Sequence, residues 1–130
     1  MPKEEDARPG LLLCDDLIFT SRITGTARAL GLTVKAARTA EQVVEMARQQ
    51  APTCVLVDLG NPGLDLGALL RQLGEVCRPP PRVVAYGSHV DTDTLRAARA
   101  AGCDPVLPRS RFVEVLETDL PRWLGAPNAD

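Results

Sequence analysis

The sequence predicts a three-layer α/β/α domain built on a five-stranded parallel sheet in the order 2-1-3-4-5. Three observations predict it. Short apolar runs alternate with helical periodicity five times along the chain, the pattern of parallel strands joined by crossover helices. The connections between these units are short, and 130 residues suit one domain with a sizeable core. Five such units fit a doubly wound sheet, in which the strand order reverses between the first and third strands.

Each element has its own local cause. Leu11-Leu12-Leu13-Cys14 is a continuous apolar run, as a strand covered on both faces requires. A helix is expected near Ser21–Leu30, closed by Gly31 in the left-handed position that follows many helices. Leu32–Ala37 reads as a peripheral second strand. Thr39-Ala40-Glu41-Gln42 is a capping box opening the second helix, whose apolar face is Val43, Val44, Met46 and Ala47. Thr53–Val57 is the third strand, ended by Asp58, and Gly60-Asn61-Pro62-Gly63 is a turn. Leu66–Val76 forms a third helix, broken by Pro79-Pro80-Pro81 before the strand Arg82–Tyr86. A fourth helix runs from about Thr92 to Ala101, with Asp91 or Thr92 as its cap and Gly102 as its stop. Val106-Leu107 is the last strand and Phe112–Trp123 the last helix. One domain is expected over residues 10–124, with a disordered segment at 1–9, a frayed tail at 125–130 and no fused effector.

The composition excludes several classes. Fifteen basic residues against 17 acidic ones leave a net charge of −2, without the basic footprint of a nucleic-acid binder. No apolar run approaches the roughly 20 residues that span a bilayer. The charged start, Met1–Pro9, lacks the apolar stretch of a signal peptide. With 3% aromatic residues, the core is expected to rest on Val, Leu, Ile and Ala. The cysteines Cys14, Cys54, Cys77 and Cys103 form no C-x-x-C pair, and a reduced, cytoplasmic protein is the expected setting. Phosphate-binding glycine loops and the nucleophile elbow are absent, and His89 is the lone histidine. A D-x-D phosphatase would need an acid two residues after Asp58, where Gly60 stands.

In such a sheet, ligands bind at the carboxyl ends of the strands where the strand order reverses. Asp15 and Asp16 end the first strand and Asp58 ends the third, so three carboxylates are directed to that crevice. Singly, each would serve as a turn or cap residue. Together they would repel one another unless a cation neutralises them, and a hard divalent ion such as Mg²⁺ takes oxygen donors of this kind.

These residues carry a family resemblance. Leu-Leu-Leu-Cys-Asp15-Asp16 resembles the first strand and acidic pair of response-regulator receiver domains, which share the flavodoxin-like order. Val55-Leu-Val-Asp58-Leu-Gly-Asn-Pro62-Gly63 is similar to the family's phosphoacceptor strand and D-x-x-x-P-G loop. Gly87-Ser88-His89-Val-Asp91 and Ala101-Gly102-Cys-Asp104 resemble its fourth strand-to-helix region and A-G-A-D ending. The resemblance covers residues 10 to 124. It implies that Asp58 accepts a phosphoryl group from a histidine kinase, a phosphotransfer protein or a small phosphodonor. It further implies that Asp15, Asp16, Asp58 and the backbone carbonyl of Gly60 hold Mg²⁺.

Three positions depart from the family pattern. Counting back from Ala101-Gly102, the Thr/Ser position falls on Gly87, so the phosphate-bonding hydroxyl is lost unless a slip of one residue brings in Ser88. Tyr86 is the other register candidate. The family's lysine is replaced by Arg109, which keeps the charge but presents a planar fork. The aromatic switch position is Val106, which has no such swing. His89 is either a solvated loop residue or a modulator of an aspartyl phosphate, Cys14 an unreactive small hydrophobe, and Trp123 a packing residue.

The expectation is a stand-alone receiver-type signalling module of a two-component phosphorelay, not an enzyme beyond self-catalysed phosphorylation and dephosphorylation. The fourth helix, fifth strand and last helix would meet a downstream protein or a second copy, with neither nucleic acid nor membrane as a partner. The alternative is a phosphorylation-independent pseudo-receiver with a fixed interaction surface. A small-molecule-binding flavodoxin-like protein is the third reading, which the three acids disfavour for an anionic cofactor at the crevice.

Overall fold

A computed structural model describes residues 8–125. The sheet has five parallel strands in the order β2-β1-β3-β4-β5. In chain order these are β1 (Gly10–Leu13), β2 (Val34–Ala37), β3 (Cys54–Asp58), β4 (Arg82–Gly87) and β5 (Val106–Pro108). The helices are α1 (Leu17–Ala29), α2 (Ala40–Gln49), α3 (Leu66–Val76), α4 (Thr92–Ala100) and α5 (Arg109–Trp123). The expected disordered segment falls on residues 1–7, outside the described residues, except for Arg8 and Pro9. The expected tail also lies outside them, apart from Gly125.

Because side chains alternate along a strand, each strand serves two cores. Leu11, Leu13, Val55, Val57, Val83, Ala85 and Val106 face α2, α3 and α4. Leu12, Cys14, Cys54, Leu56, Val84 and Tyr86 face α1 and α5, against Ile23, Ala27, Phe112, Leu116, Leu120 and Trp123. Burial on both faces explains why the strands read as unbroken apolar runs.

The few aromatics are not spread thinly through these cores. Phe19, Tyr86, Phe112 and Trp123, all of the chain's aromatic residues, form one chain of ring contacts on the α1/α5 side. Tyr86 and Phe112 stack at 4.4 Å, and Phe112 and Trp123 at 5.8 Å. Trp123 is buried, as its packing role required.

Local chemistry sets the element ends. Thr39 caps α2 by accepting the Gln42 N–H at 3.2 Å, as the capping box predicts. The return bond differs by one residue: Gln42 Oε1 accepts from the Arg38 N–H at 2.9 Å. Gly31 and Gly102 follow α1 and α4 with φ of 77° and 110°, where a Cβ would be strained. The first helix begins a turn earlier than expected because Asp16 caps it, accepting the Phe19 N–H at 3.0 Å. The last helix starts at Arg109, directly after β5, with Pro108 in the cap position. Proline's fixed φ suits a helix entry, so no loop separates strand from helix.

Candidate functional site

The carboxyl ends of β1, β3 and β4 meet at one edge, where the Cα partners are Leu13 with Val57 and Asp58 with Tyr86. Asp58 is the last residue of β3 and is 5% exposed. A carboxylate removed from water needs partners. Its Oδ1 accepts the Gly60 N–H at 2.8 Å, which also shapes the turn after the strand. Its Oδ2 takes the Cys14 thiol at 3.7 Å and faces Arg109 Nη2 at 3.8 Å. The Arg109 separation is an ion pair without a direct hydrogen bond.

Arg109 can reach Asp58 because α5 begins abruptly at the end of β5. Its guanidinium also lies over the Phe19 ring, 5.2 Å from the centroid. The side chain is therefore held between an aromatic face and a carboxylate, both of which favour a cation.

The acidic pair of β1 is divided. Asp16 is committed to capping α1 through Oδ1. Asp15 accepts from Arg38 Nε at 3.0 Å. Arg38 follows β2 just as Asp15 follows β1, and the Cys14 N–H donates to the Ala37 carbonyl between them. Asn61, buried in the loop after β3, donates to the Arg38 carbonyl at 3.1 Å and ties that strand end to the turn.

The donor chemistry of Asp15, Asp16, Asp58 and the Gly60 carbonyl suits Mg²⁺, but the side chains are not gathered around one point. Among the described residues, no three His, Cys, Asp or Glu side chains form a group able to hold a metal. As placed, they do not fit the ion. Arginines stand beside two of the three carboxylates instead.

Gly87 is buried at the end of β4. A Cβ there would meet Leu59 Cβ and Leu95 Cδ2 at 3.4 Å, so the Thr/Ser position of the resemblance is walled by two leucines. The register pairs Gly87 with Pro108, which leaves Ser88 beyond the strand. Ser88 is exposed, and its Oγ accepts the Val90 N–H at 3.4 Å. Among the described residues no hydrogen bond joins Ser88 to Asp58. Val106, at the aromatic switch position, is buried in the α2/α3/α4 core.

Tyr86 points the other way, into the aromatic chain. Its hydroxyl is buried and, among the described residues, has no hydrogen-bond partner. Burial pushes the phenol far above its usual range, and the neighbouring Cys14 thiol and Asp58 carboxylate add to the effect. Burial likewise pushes Cys54 up to about 12. All four cysteines are free and buried.

Three contributors escape a reading of the sequence alone. Arg38 was signalled only by its place after the strand next to β1. Phe19 lay ahead of the expected helix start. Arg22, one turn further along α1, lines a cavity with His89 and Arg109.

No family model matches the chain, and no curated protein sequence matches it. Solved structures do. The receiver domain of NtrX from Brucella abortus is 21% identical, with a TM-score of 0.76 over 90% of this chain and 98% of that one. The receiver domain of Ssk1 from Saccharomyces cerevisiae, crystallised with the histidine phosphotransfer protein Ypd1, is 17% identical. Its TM-score is 0.75 over 90% of this chain and 88% of that chain. The beryllofluoride-activated NtrC4 receiver domain dimer is 18% identical, with a TM-score of 0.72 over 88% of this chain and 98% of that one. A longer NtrX chain is matched over 27% of its length. This chain has the response-regulator receiver fold, and among its described residues no helix is long and apolar enough to cross a membrane.

Proposed function

We propose that this receiver-fold chain is a signalling module whose Asp58 accepts a phosphoryl group, and whose output is a protein–protein contact. The observation that supports it most is the environment of Asp58. A carboxylate at the switch-point edge has one oxygen held by the Gly60 N–H and the other facing a guanidinium. In the proposed step, a carboxylate oxygen of Asp58 attacks the phosphorus of acetyl phosphate or a phosphohistidine. The new P–O bond forms as the bond to acetate or to the imidazole nitrogen breaks. Arg109 offsets the charge on the transferred oxygens, as a positioned cation does in phosphoryl transfer generally. Its planar fork can hold two oxygens bidentately, whereas a lysine ammonium acts as a compact point charge.

Mg²⁺ enters this proposal as a competitor of Arg38 and Arg109 for the same carboxylates. The partner is a histidine kinase or phosphotransfer protein, and the setting is the reducing cytoplasm. Leu17 and Ile18 on α1 and Val90 in the loop after β4 are large apolar side chains exposed on elements flanking the site. A protein partner that closes over Asp58 would cover them. The α4–β5–α5 face is the proposed surface for a downstream protein or a second copy.

A second reading rests on Gly87. Without a hydroxyl at this position, and with Val106 buried, an aspartyl phosphate has no standard route to the surface. On that reading the same fold acts as a pseudo-receiver with a fixed binding face.

Beryllofluoride, a stable phosphoryl mimic, separates the two readings. The leading one expects saturable beryllofluoride binding by ¹⁹F NMR that disappears in Asp58→Asn. A folded protein that binds none supports the pseudo-receiver.

A further inference from the structure

Arg109 has a second face. It lines a cavity of about 580 Å³ with Phe19, Arg22, Ser88, His89 and Ser110, a lining that does not include Asp58. That volume lies within the range of small-molecule pockets, about 300–1,000 Å³. Its lining carries two guanidinium groups, an imidazole and two hydroxyls, with no carboxylate. Phe19, whose ring face is already covered by the Arg109 guanidinium, and Val113 supply its apolar part. Among the described residues, Arg22 and His89 make no salt bridge or side-chain hydrogen bond.

We infer that this cavity, between α1, the β4–α4 loop and the start of α5, binds a small phosphate-bearing molecule with an apolar group. Arg22 and Arg109 would grip the phosphate, pairs of whose tetrahedral oxygens suit guanidinium forks. Ser88 and Ser110 would donate to remaining oxygens, and the apolar group would lie against Val113 and the Phe19 side chain beside Arg109. An exposed pair of arginines without a counterion on the cavity side is what an anion would complete.

The site is not the Asp58 crevice, although it shares Arg109 with it. A ligand phosphate would draw the guanidinium away from the Asp58 carboxylate, to which it is bound only at 3.8 Å. Occupancy of the cavity and the freedom of Asp58 are therefore linked, and by thermodynamic reciprocity each affects the other equally.

The test uses the full chain and three probes: phenyl phosphate, inorganic phosphate and phenol, each titrated by calorimetry against the wild-type protein, Arg22→Ala and Asp58→Asn. Phenyl phosphate is expected to bind saturably and more tightly than inorganic phosphate, with phenol not binding. Arg22→Ala, on an exposed helix position that leaves the fold intact, is expected to weaken phenyl phosphate by about tenfold. Asp58→Asn is expected to retain or tighten it, since Arg109 is then released. Absence of saturable binding overturns the proposal, as does binding indifferent to Arg22→Ala. Binding lost in Asp58→Asn also overturns it, because the phosphate would then sit in the Asp58 crevice. Phosphoryl acceptance by Asp58 plays no part in these outcomes, so either idea can fail without the other.

Discussion

Arg109 Nη2 faces Asp58 Oδ2 across 3.8 Å, from the first residue of the helix that follows the last strand. The carboxylate is nearly buried and the guanidinium is half exposed, at 49% of its side-chain surface. A cation supplied by the chain itself thus stands beside the Asp58 carboxylate. Arg38 donates directly to Asp15 at 3.0 Å, in a pair exposed on both sides. Each arginine offsets the charge of one carboxylate.

Competition for these carboxylates can be measured. The Arg38–Asp15 pair is exposed and worth ~0–1 kcal/mol. The Arg109–Asp58 pair, whose carboxylate is buried, is too long for a direct hydrogen bond. Each therefore leaves its carboxylate open to a divalent ion. Arg38→Ala and Arg109→Ala are each expected to tighten Mg²⁺ binding by about 2–5-fold in isothermal titration calorimetry. Unchanged or weaker binding would show that the arginines and the ion do not contend for the same oxygens.

Gly87 offers a gain-of-function prediction. A Cβ at this position makes only contact-distance approaches to Leu59 and Leu95, so a small side chain fits after slight movement. Gly87→Ala is expected to change stability by less than about 1 kcal/mol in urea denaturation. Gly87→Ser restores a hydroxyl beside the crevice and is expected to raise the phosphorylated fraction of Asp58 above that of Gly87→Ala. Equal fractions in the two variants would mean that the hydroxyl cannot reach the phosphoryl oxygens.

The fold of this site was legible because short-range rules set it. Thr39 with Gln42, Gly31, Gly102 and the apolar runs each act over a few residues, and each stands where its chemistry requires. That Asp15, Asp16 and Asp58 end neighbouring strands also followed from topology. What their carboxylates touch did not, because Arg38 follows β2 and Arg109 opens α5, and only the tertiary pairing of the strands brings those positions beside the acids. The late start predicted for the first helix hid Phe19, whose position depends on Asp16 acting as a cap. Aromatic scarcity concealed the chain of rings from Phe19 to Trp123, since composition says nothing about clustering.

Tyr86 carries a polar atom without a partner in a buried aromatic stack. An unsatisfied buried hydroxyl costs about 1–3 kcal/mol. Tyr86→Phe keeps the ring and removes the oxygen, so it is expected to leave the protein as stable or up to about 1 kcal/mol more stable by chemical denaturation. A loss above about 1 kcal/mol would reveal a hydrogen bond to that hydroxyl in solution.

Buried thiols set an alkaline limit. Cys54 ionises at about 9 when unfolded and at about 12 when folded, because burial disfavours the thiolate. Above the lower value the unfolded chain releases a proton that the folded chain retains, so stability falls as pH rises. The contribution of Cys54 is whole below about 9 and declines towards about 12, with a limiting slope of ~1.4 kcal/mol per pH unit. Unfolding curves across that window are expected to show the decline, and Cys54→Ala to flatten it. An identical slope in the variant would assign the decline to other groups.

The measurement that bears most directly on the account is intact-mass spectrometry after incubation with Mg²⁺ and acetyl phosphate, run beside Asp58→Asn. A gain of one phosphoryl group in the wild-type chain, absent from the variant, is the result that phosphoryl acceptance at Asp58 predicts. A folded wild-type protein that gains no phosphoryl group, or an adduct that persists in Asp58→Asn, would contradict it.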